Sequence, residues 1–160
     1  MKNKSKDKSK LKLRKAVVSD VPEIFKLIKH YAEKKLMLAR ALSELYENIQ
    51  EFYVIVKGGK IIACSSLHVT WENLAEIKSL AVAPGHCGGG IGTKIVDACH
   101  ATARRLGVKR VFALTFAPGF FKKHGYVETH RDKLPHKIWI ECIRCPMFPD
   151  CKEIPLVKDL

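Results

Sequence analysis

Residues 80–98, LAVAPGHCGGGIGTKIVDA, place a glycine-rich loop between an apolar segment that ends in a proline and an amphipathic segment. The apolar segment predicts a β-strand over 74–84, stopped by Pro84. The following apolar residues recur at helical spacing and predict a helix over 91–107, with Gly107 after its C-terminus. Glycines between a strand and a helix leave backbone N–H groups open to an anion. The spacing alone leaves two alternatives, a phosphate or pyrophosphate site and a plain turn.

Two common phosphate-binding motifs are excluded at this loop. The Gly-x4-Gly-Lys-[Ser/Thr] spacing of a Walker A loop is missing. The Gly-x-Gly variants in GHCGGGIG match a dinucleotide fingerprint only weakly, and the preceding strand ends an antiparallel meander, unlike the strand of a Rossmann unit.

The remaining chain predicts alternating strands and helices. Asp20 and Glu23 have the spacing of a capping box, Pro22 falls in the first helical turn, and Ser43 is the expected N-cap of a second helix. Gly58-Gly59 predicts a hairpin turn. The predicted elements are a strand at 11–17, helices at 21–34 and 42–49, strands at 52–57, 60–69 and 111–116, a helix at 118–124, a strand at 126–130, a helix or strand at 134–145 and a strand at 153–157. This order predicts a single α/β domain with a mixed, mostly antiparallel central sheet flanked by helices.

Composition limits the class of protein. A chain of 160 residues that is 47% hydrophobic fits one domain with its own core. No apolar run approaches the roughly 20 residues of a membrane helix, so we expect no membrane association. The N-terminal stretch MKNKSKDKSKLKLRK is not followed by an apolar segment, which argues against a secretory signal and favours the cytoplasm.

The net charge of +13 is concentrated at the N-terminus. Residues 1–15 hold eight Lys or Arg and one Asp, which leaves +6 for the other 145 residues. We predict a disordered basic tail at 1–10, a folded domain at 11–160 and a cysteine-rich C-terminal extension at 134–160. The tail has no aromatic residues among its lysines, so nucleic acid is an unlikely partner. The net charge of +6 on the rest of the chain is as compatible with binding an anionic small molecule as with binding nucleic acid.

Apart from Cys87 in the glycine loop, the six cysteines fall into two groups. Cys64 and Cys99 lie in apolar patterns and are expected to be reduced core residues. Cys142, Cys145 and Cys151 form a Cys-x2-Cys-x5-Cys pattern, which with His130 or His136 has the ligands for a structural zinc site. Reduced packing thiols and a redox-labile disulfide are the alternatives.

The glycine loop and its flanks resemble motif A of the GNAT acetyltransferase superfamily, a strand and helix joined by an [Arg/Gln]-x-x-Gly-x-[Gly/Ala] loop. SDVPEI resembles the opening helix of that family and FFKKHGY a segment near its end, so the resemblance covers about residues 11–130. It implies that acetyl-CoA is the co-substrate, with its pyrophosphate on the loop amides and its pantetheine arm on the preceding strand. The implied cofactor-binding residues are Leu80, Ala81, Val82, Cys87, Gly88, Gly89, Gly90, Ile91, Gly92, Thr93 and Phe121.

Two positions depart from the superfamily pattern. Cys87 stands where the family has Arg or Gln, so backbone amides and the helix terminus must hold the phosphates, with partial help from Lys94. Phe121 stands where the family has its usual general acid, a tyrosine. We assign no acid, and expect Tyr126 to be a core aromatic residue.

A closer likeness lies outside the glycine loop. MLARALSELYENI and LPHKIWIECIRCPMFPDCKEIPLV resemble the short, stand-alone N-acetylglutamate synthases of arginine biosynthesis. This resemblance implies that Arg40 binds the α-carboxylate of glutamate, and we place Lys78 and Ser79 at the substrate as well. The longer members use an Arg and a Ser where this chain has Ala117 and Pro118, so the ligand of the side-chain carboxylate is unassigned, with Lys78 and Lys122 as candidates.

Amine acetylation also requires a base and an oxyanion donor. Glu76 matches the strand position that supplies a general base in some superfamily members, and strand alternation places Glu76, Lys78 and Leu80 on one face. A backbone N–H near Leu80 to Val82 is the expected oxyanion donor. The predicted function is acetyl transfer from acetyl-CoA to the α-amine of L-glutamate. The alternatives are a GNAT enzyme for another amino acid or amine, and a catalytically degenerate protein associated with nucleic acid. A homodimer is left open.

Overall fold

The structure is a computed structural model that describes residues 10–160, with residues 136–139 as backbone only. This part of the chain forms seven strands and five α-helices. The strands are β1 (Lys12–Lys15), β2 (Phe52–Lys57), β3 (Lys60–Trp71), β4 (Leu74–Val82), β5 (Arg110–Thr115), β6 (Val127–Glu128) and β7 (Ile154–Asp159), and the helices are α1 (Val21–Glu33), α2 (Leu42–Glu47), α3 (Ile91–Arg105), α4 (Pro118–Lys123) and α5 (His136–Arg144).

The strands form one sheet in the order β1-β2-β3-β4-β5-β7-β6. Strands β1, β2 and β3 pair antiparallel in sequence, as do β5 with β7 and β6 with β7. Strands β4 and β5 pair parallel, with Leu74 opposite Arg110 and Glu76 opposite Phe112. A parallel pair needs a crossover, which the loop and α3 supply. The predicted mixed, mostly antiparallel α/β sheet is confirmed.

The chain separates into two compact units, and β3, β4 and α3 each contribute residues to both. The first unit comprises the residues up to Ser66 together with Ser79–Cys99. Its core is the apolar face of α1, including Ile24 and Ile28, packed with Leu45 of α2 and Val54 of β2. This face follows the 3.6-residue period of an amphipathic helix.

The second unit comprises Leu67–Lys78 together with His100–Leu160. Its core contains Leu74 of β4, Phe112 of β5 and Leu134, with Cys142 and Val157 packed against them. The segment 134–145, which the sequence leaves as helix or strand, contains the helix α5.

Glycine turns confirm two local predictions. Gly58 and Gly59 have φ values of +57° and +83°, so both adopt the left-handed conformation that a tight hairpin requires. Gly107 follows α3 with φ +82°, and its N–H donates to Arg104 while that of Val108 donates to Ala103. This pair of bonds is the glycine C-cap expected there.

The capping box predicted for α1 is wrong. The Asp20 carboxylate does not cap α1 but accepts two hydrogen bonds from the Arg14 guanidinium, at 2.6 and 3.0 Å, and one from the Val17 N–H at 2.8 Å. Glu23 accepts from the Ile61 N–H at 3.0 Å. A charge-assisted, bidentate partner is stronger than a helix amide, which explains why Asp20 pairs with Arg14.

The N-cap predicted for α2 is also wrong, because Ala41 occupies that position and Ser43 lies inside the helix. The predicted first-turn position of Pro22 in α1 is confirmed. The predicted tail at 1–10 falls outside the described residues except for Lys10. Within residues 10–160, every helix is too short or too polar to cross a bilayer.

Candidate active site

Three glycines set the backbone path between β4 and α3. Gly85, Gly88 and Gly90 have φ values of +84°, +86° and +74°. Residues with a Cβ are strained in this conformation, so the backbone itself requires glycine at these positions.

Gly89 has a different reason to be glycine. Its φ lies outside the left-handed region, and a Cβ added there meets no heavy atom within 4 Å. Added Cβ atoms at Gly88 and Gly90 also point into open space. Neither backbone conformation nor packing therefore requires glycine at position 89. The open space at this position leaves its backbone accessible.

The N-terminus of α3 completes this loop. The Lys94 N–H donates to the Gly90 carbonyl at 3.0 Å, and helix geometry gives the amides that precede Lys94 no acceptor inside the helix. The helix runs for 15 residues and carries a partial positive charge at this end. Left-handed glycines, open space above the loop and a helix N-terminus together fit an anion such as a pyrophosphate.

The Cys87 side chain lies against the end of β4. Its Sγ is 3.8 Å from the Val82 carbonyl oxygen, 3.9 Å from that of Ala83 and 4.0 Å from the Tyr31 hydroxyl. A thiol in this position supplies no positive charge to the loop. The contribution of position 87 to an anion site is therefore its backbone, as the sequence indicates.

Tyr31 lies in α1 and is not among the site residues that the sequence indicates. Its hydroxyl donates a short hydrogen bond to the Val82 carbonyl, so α1 is fixed to the end of β4. Burial, followed by the hydrogen bond with Cys87, raises the pKa of Tyr31 above its usual range. The hydroxyl therefore stays a neutral donor at physiological pH. The two partners are separated by 51 positions, so no local pattern signals the contact.

The middle of β4 is distorted at Ser79. Its φ is +53°, which is unusual for a residue other than glycine and costs about 1–2 kcal/mol. Its carbonyl accepts a hydrogen bond from the Cys64 thiol at 3.5 Å. The two-residue alternation on which the prediction for Leu80 depends does not continue regularly through Ser79. The strain marks the strand segment that the sequence assigns to substrate and pantetheine.

Arg40, the predicted carboxylate ligand, precedes α2 in the first unit. Its Nη1 is 3.1 Å from Oε1 of Glu44, and only 18% of its side chain is exposed. The ion pair with the following helix restricts the guanidinium, which reduces the entropy lost when it binds a carboxylate.

Glu76 and Lys78 lie together in the second unit, as the alternation of β4 predicts. Oε2 of Glu76 is 3.9 Å from Nζ of Lys78, and their side chains are only 8% and 10% exposed. Nζ of Lys78 also lies 3.0 Å from Oε2 of Glu141 in α5. Sequence reasoning missed Glu141 because its segment had no assigned secondary structure.

The aromatic cluster around α4 contains Phe121. This side chain is buried, and its ring lies 5.1 Å from that of Tyr126 in an edge-to-face contact. The Tyr126 hydroxyl is 2.7 Å from Nε2 of buried His100, so Tyr126 is the expected core residue. Phe121 has no proton to donate, and the general acid stays unassigned. Lys122 pairs with Glu128 at 2.6 Å on the surface.

The zinc site considered as one alternative for Cys142, Cys145 and Cys151 is not supported. Among the side chains that the structure describes, no group of three or more His, Cys, Asp or Glu residues is suited to hold a metal. Instead, the Arg131 guanidinium contacts Cys142 at 3.8 Å and Cys151 at 3.3 Å. A fixed guanidinium against two of the three sulfurs opposes binding of a divalent cation at the same atoms.

Cys64 and Cys99 are buried free thiols, which confirms their predicted place in the core. Burial raises the pKa of each to about 12. Both therefore remain protonated and chemically quiet at physiological pH.

The chain is similar to known acetyltransferases. The model of the acetyltransferase (GNAT) family matches residues 19–126. An uncharacterized N-acetyltransferase of Chlorobaculum tepidum is 37% identical over 92% of this chain and 96% of that protein. An amino-acid acetyltransferase of Mycobacterium tuberculosis is 42% identical over 82% of this chain and 77% of that protein.

Two solved structures are similar to this chain as well. A Mycobacterium tuberculosis protein in complex with CoA and a second ligand has a TM-score of 0.79 and 36% identity, over 93% of this chain and 99% of that one. The N-acetylglutamate synthase of Neisseria gonorrhoeae, complexed with coenzyme A and N-acetyl-glutamate, has a TM-score of 0.84 and 26% identity. That match covers 95% of this chain and 35% of the synthase, so this chain spans about a third of it.

Proposed function

Since this chain belongs to the GNAT acetyltransferase family, we propose that it transfers the acetyl group of acetyl-CoA to the α-amine of L-glutamate. Family membership makes it an acetyl-CoA-dependent acyltransferase, and its relatives support an amino acid as acceptor. The observation that carries the choice of glutamate is the structural match to a synthase complexed with N-acetyl-glutamate, across nearly the whole of this chain.

In this proposal, acetyl-CoA supplies an activated thioester, and the first unit binds it. The amides of Gly88, Gly89 and Gly90 and the first turn of α3 hold the pyrophosphate. The open space above these glycines supports this role. The pantetheine arm is proposed to bind the backbone groups of Leu80 to Val82, at the end of the strand where the Val82 carbonyl also accepts from Tyr31.

The acceptor is held by its carboxylates. Arg40 has a planar guanidinium that can bind an α-carboxylate through two parallel hydrogen bonds. Its low exposure and its ion pair with Glu44 support a pre-positioned role. Lys78 is the proposed ligand of the side-chain carboxylate. Ser79, between Lys78 and the pantetheine-binding backbone, is proposed to line the acceptor.

The chemistry requires a proton to leave the acceptor ammonium before attack. Glu76 is the proposed base, and its buried carboxylate beside Lys78 supports a fixed orientation. A backbone N–H near Leu80 to Val82 then stabilises the tetrahedral oxyanion. A thiol with a pKa of about 8.5 leaves without an obligatory acid, which is compatible with Phe121 in place of a tyrosine.

As an extension of this proposal, the enzyme acts at the first step of arginine biosynthesis, in the cytoplasm. The alternative acceptor is another amino acid or amine. It would leave the proposed acetyl-CoA-binding residues unchanged and alter the contacts proposed for Arg40 and Lys78.

Steady-state release of free thiol from acetyl-CoA tests the proposal. L-glutamate, D-glutamate, L-aspartate and L-glutamine are compared as acceptors at fixed acetyl-CoA. We expect saturable release with L-glutamate and the highest kcat/KM among the four. Release that is independent of acceptor, or equal kcat/KM for all four, would show that glutamate is not the substrate.

A further inference from the structure

Lys78 has two carboxylate neighbours that differ in environment. Glu76, at 3.9 Å, lies on the same strand and is 8% exposed. Glu141, at 3.0 Å, lies on α5 and is 56% exposed. The shorter contact is therefore made by the more exposed carboxylate.

The difference in exposure decides which partner can be exchanged. Moving Glu76 would unpair a carboxylate that is only 8% exposed and that the strand fixes, which is strongly unfavourable for a buried charge. An ion pair with a half-exposed partner contributes little to stability, because water competes for the carboxylate. Glu141 can therefore be exchanged for another carboxylate at little cost, while Glu76 stays in place.

Lys78 itself needs a counter-charge close to its ammonium. Its side chain is only 10% exposed, so loss of Glu141 without replacement leaves the ammonium poorly solvated, with the Glu76 carboxylate farther away at 3.9 Å. A carboxylate brought by a ligand restores the pairing, whereas a neutral side chain does not. The site therefore favours an exchange of one carboxylate for another.

We propose that Glu141 occupies, in the absence of acceptor, the position on Lys78 that the side-chain carboxylate of the acceptor takes when it binds. This inference rests on the proposed function, because it requires a dicarboxylic amino acid as acceptor. Glu141 then acts as a specificity-determining residue. A dicarboxylic acceptor displaces it and keeps Lys78 paired, and an acceptor with a neutral side chain leaves the Lys78–Glu141 pair in place.

The position of Glu76 agrees with this exchange. Its carboxylate lies 3.9 Å from the same ammonium. An acceptor with one carboxylate on Lys78 therefore has its neighbouring atoms near the proposed base. Lys78 thus links recognition of the acceptor with the orientation of its amine.

The variant E141Q tests the inference directly, with L-glutamate and L-glutamine as paired acceptors. Removing the competing charge should lower the KM for L-glutamate about threefold, within the range of a half-exposed ion pair, and leave kcat unchanged. The KM for L-glutamine should stay the same. Glu128→Gln is the matched control, because Glu128 pairs with Lys122 on the surface of the same unit. It should change neither KM.

The variant Lys78→Met is the second test, because it removes the proposed ligand of the acceptor side chain. It should raise the KM for L-glutamate by about tenfold or more, as expected for loss of a charged hydrogen bond, and reduce the preference for L-glutamate over L-glutamine. Melting temperatures of each variant with and without CoA verify that the protein is folded.

The outcomes separate the two proposals. Wild-type protein that fails to acetylate L-glutamate contradicts the proposed function. Wild-type protein that acetylates it, with E141Q raising its KM or changing both acceptors equally, overturns the exchange alone. An unchanged KM in E141Q also overturns it.

Discussion

Tyr31 of α1 donates a hydrogen bond to the backbone carbonyl of Val82, the last residue of β4. The bond fixes the helix to the point where the strand ends and the glycine loop begins. It also occupies a carbonyl within the stretch proposed to bind pantetheine. The conformation of the loop therefore depends on a side chain that lies far from it in sequence.

Tyr31→Phe tests this contact. We expect a loss of about 1 kcal/mol in the free energy of unfolding, because a partly buried carbonyl loses its donor. The KM for acetyl-CoA should rise while that for L-glutamate stays the same. Chemical denaturation and steady-state kinetics measure both effects. The control is Tyr46→Phe, since Tyr46 is exposed on α2, and equal effects of the two variants would exclude a special role for Tyr31.

The glycine loop allows backbone strain to be separated from ligand contact. Gly88→Ala should destabilise the free protein by about 1 kcal/mol, because Gly88 has φ +86°. Gly89→Ala should leave stability nearly unchanged, since its Cβ meets no protein atom, yet weaken CoA binding. Calorimetric titration with CoA and denaturation of each variant provide the two readouts. Undiminished CoA affinity in Gly89→Ala would mean that the ligand does not approach this backbone.

Arg40→Met addresses the acceptor. We expect the KM for L-glutamate to rise about tenfold or more and the KM for acetyl-CoA to stay unchanged, because one charged hydrogen-bonding partner of the acceptor is lost. Lys29→Met removes a comparable cation from another i,i+4 pair, that with Glu33. Its kinetics should equal those of the wild type. A parallel rise in both KM values for Arg40→Met would point to a structural role instead.

The Arg14–Asp20 pair predicts a pH-dependent stability. The hydrogen bond from Arg14 is the main reason why the pKa of Asp20 lies below its usual value. The pair therefore stabilises the fold above the unfolded-state pKa of about 3.9, and this contribution is lost as pH falls through the lower folded-state pKa.

Arg14→Met should accordingly lower the free energy of unfolding by about 1–2 kcal/mol at pH 7. The difference from wild type should begin to shrink below about pH 4, where Asp20 becomes protonated in the unfolded state, and should be lost once the pH has fallen through the lower folded-state pKa. Urea denaturation at a series of pH values measures it. A difference that does not depend on pH would assign the effect of Arg14 to packing alone.

The elements around the proposed loop could be predicted because they depend on local rules. The strand stopped by Pro84, the left-handed glycines and the capped helix α3 each follow from neighbouring residues. The Gly58-Gly59 hairpin follows in the same way. These features determine the sheet and the position of the loop.

The features that the sequence did not reveal depend on competition between hydrogen-bond partners or on contacts between residues distant in sequence. Asp20 had a suitable cap position, yet the Arg14 guanidinium is a better partner for its carboxylate. Glu141 reaches Lys78 across 63 positions, and α5 was not separable from a strand in the sequence. The cysteine spacing suggested zinc, but spacing does not reveal the Arg131 guanidinium between the sulfurs. Side-chain partners distant in sequence are set by the tertiary fold, which local patterns do not encode.

A competition assay tests the central claim most directly. The protein is given limiting acetyl-CoA and an equimolar mixture of the twenty common amino acids, and acetylated products are identified by mass spectrometry. Because all acceptors compete in one vessel, product ratios report relative kcat/KM values. We expect N-acetyl-L-glutamate, acetylated at the α-amine, to be the dominant product. A different dominant product, or release of thiol without any acetylated amino acid, would contradict the assignment.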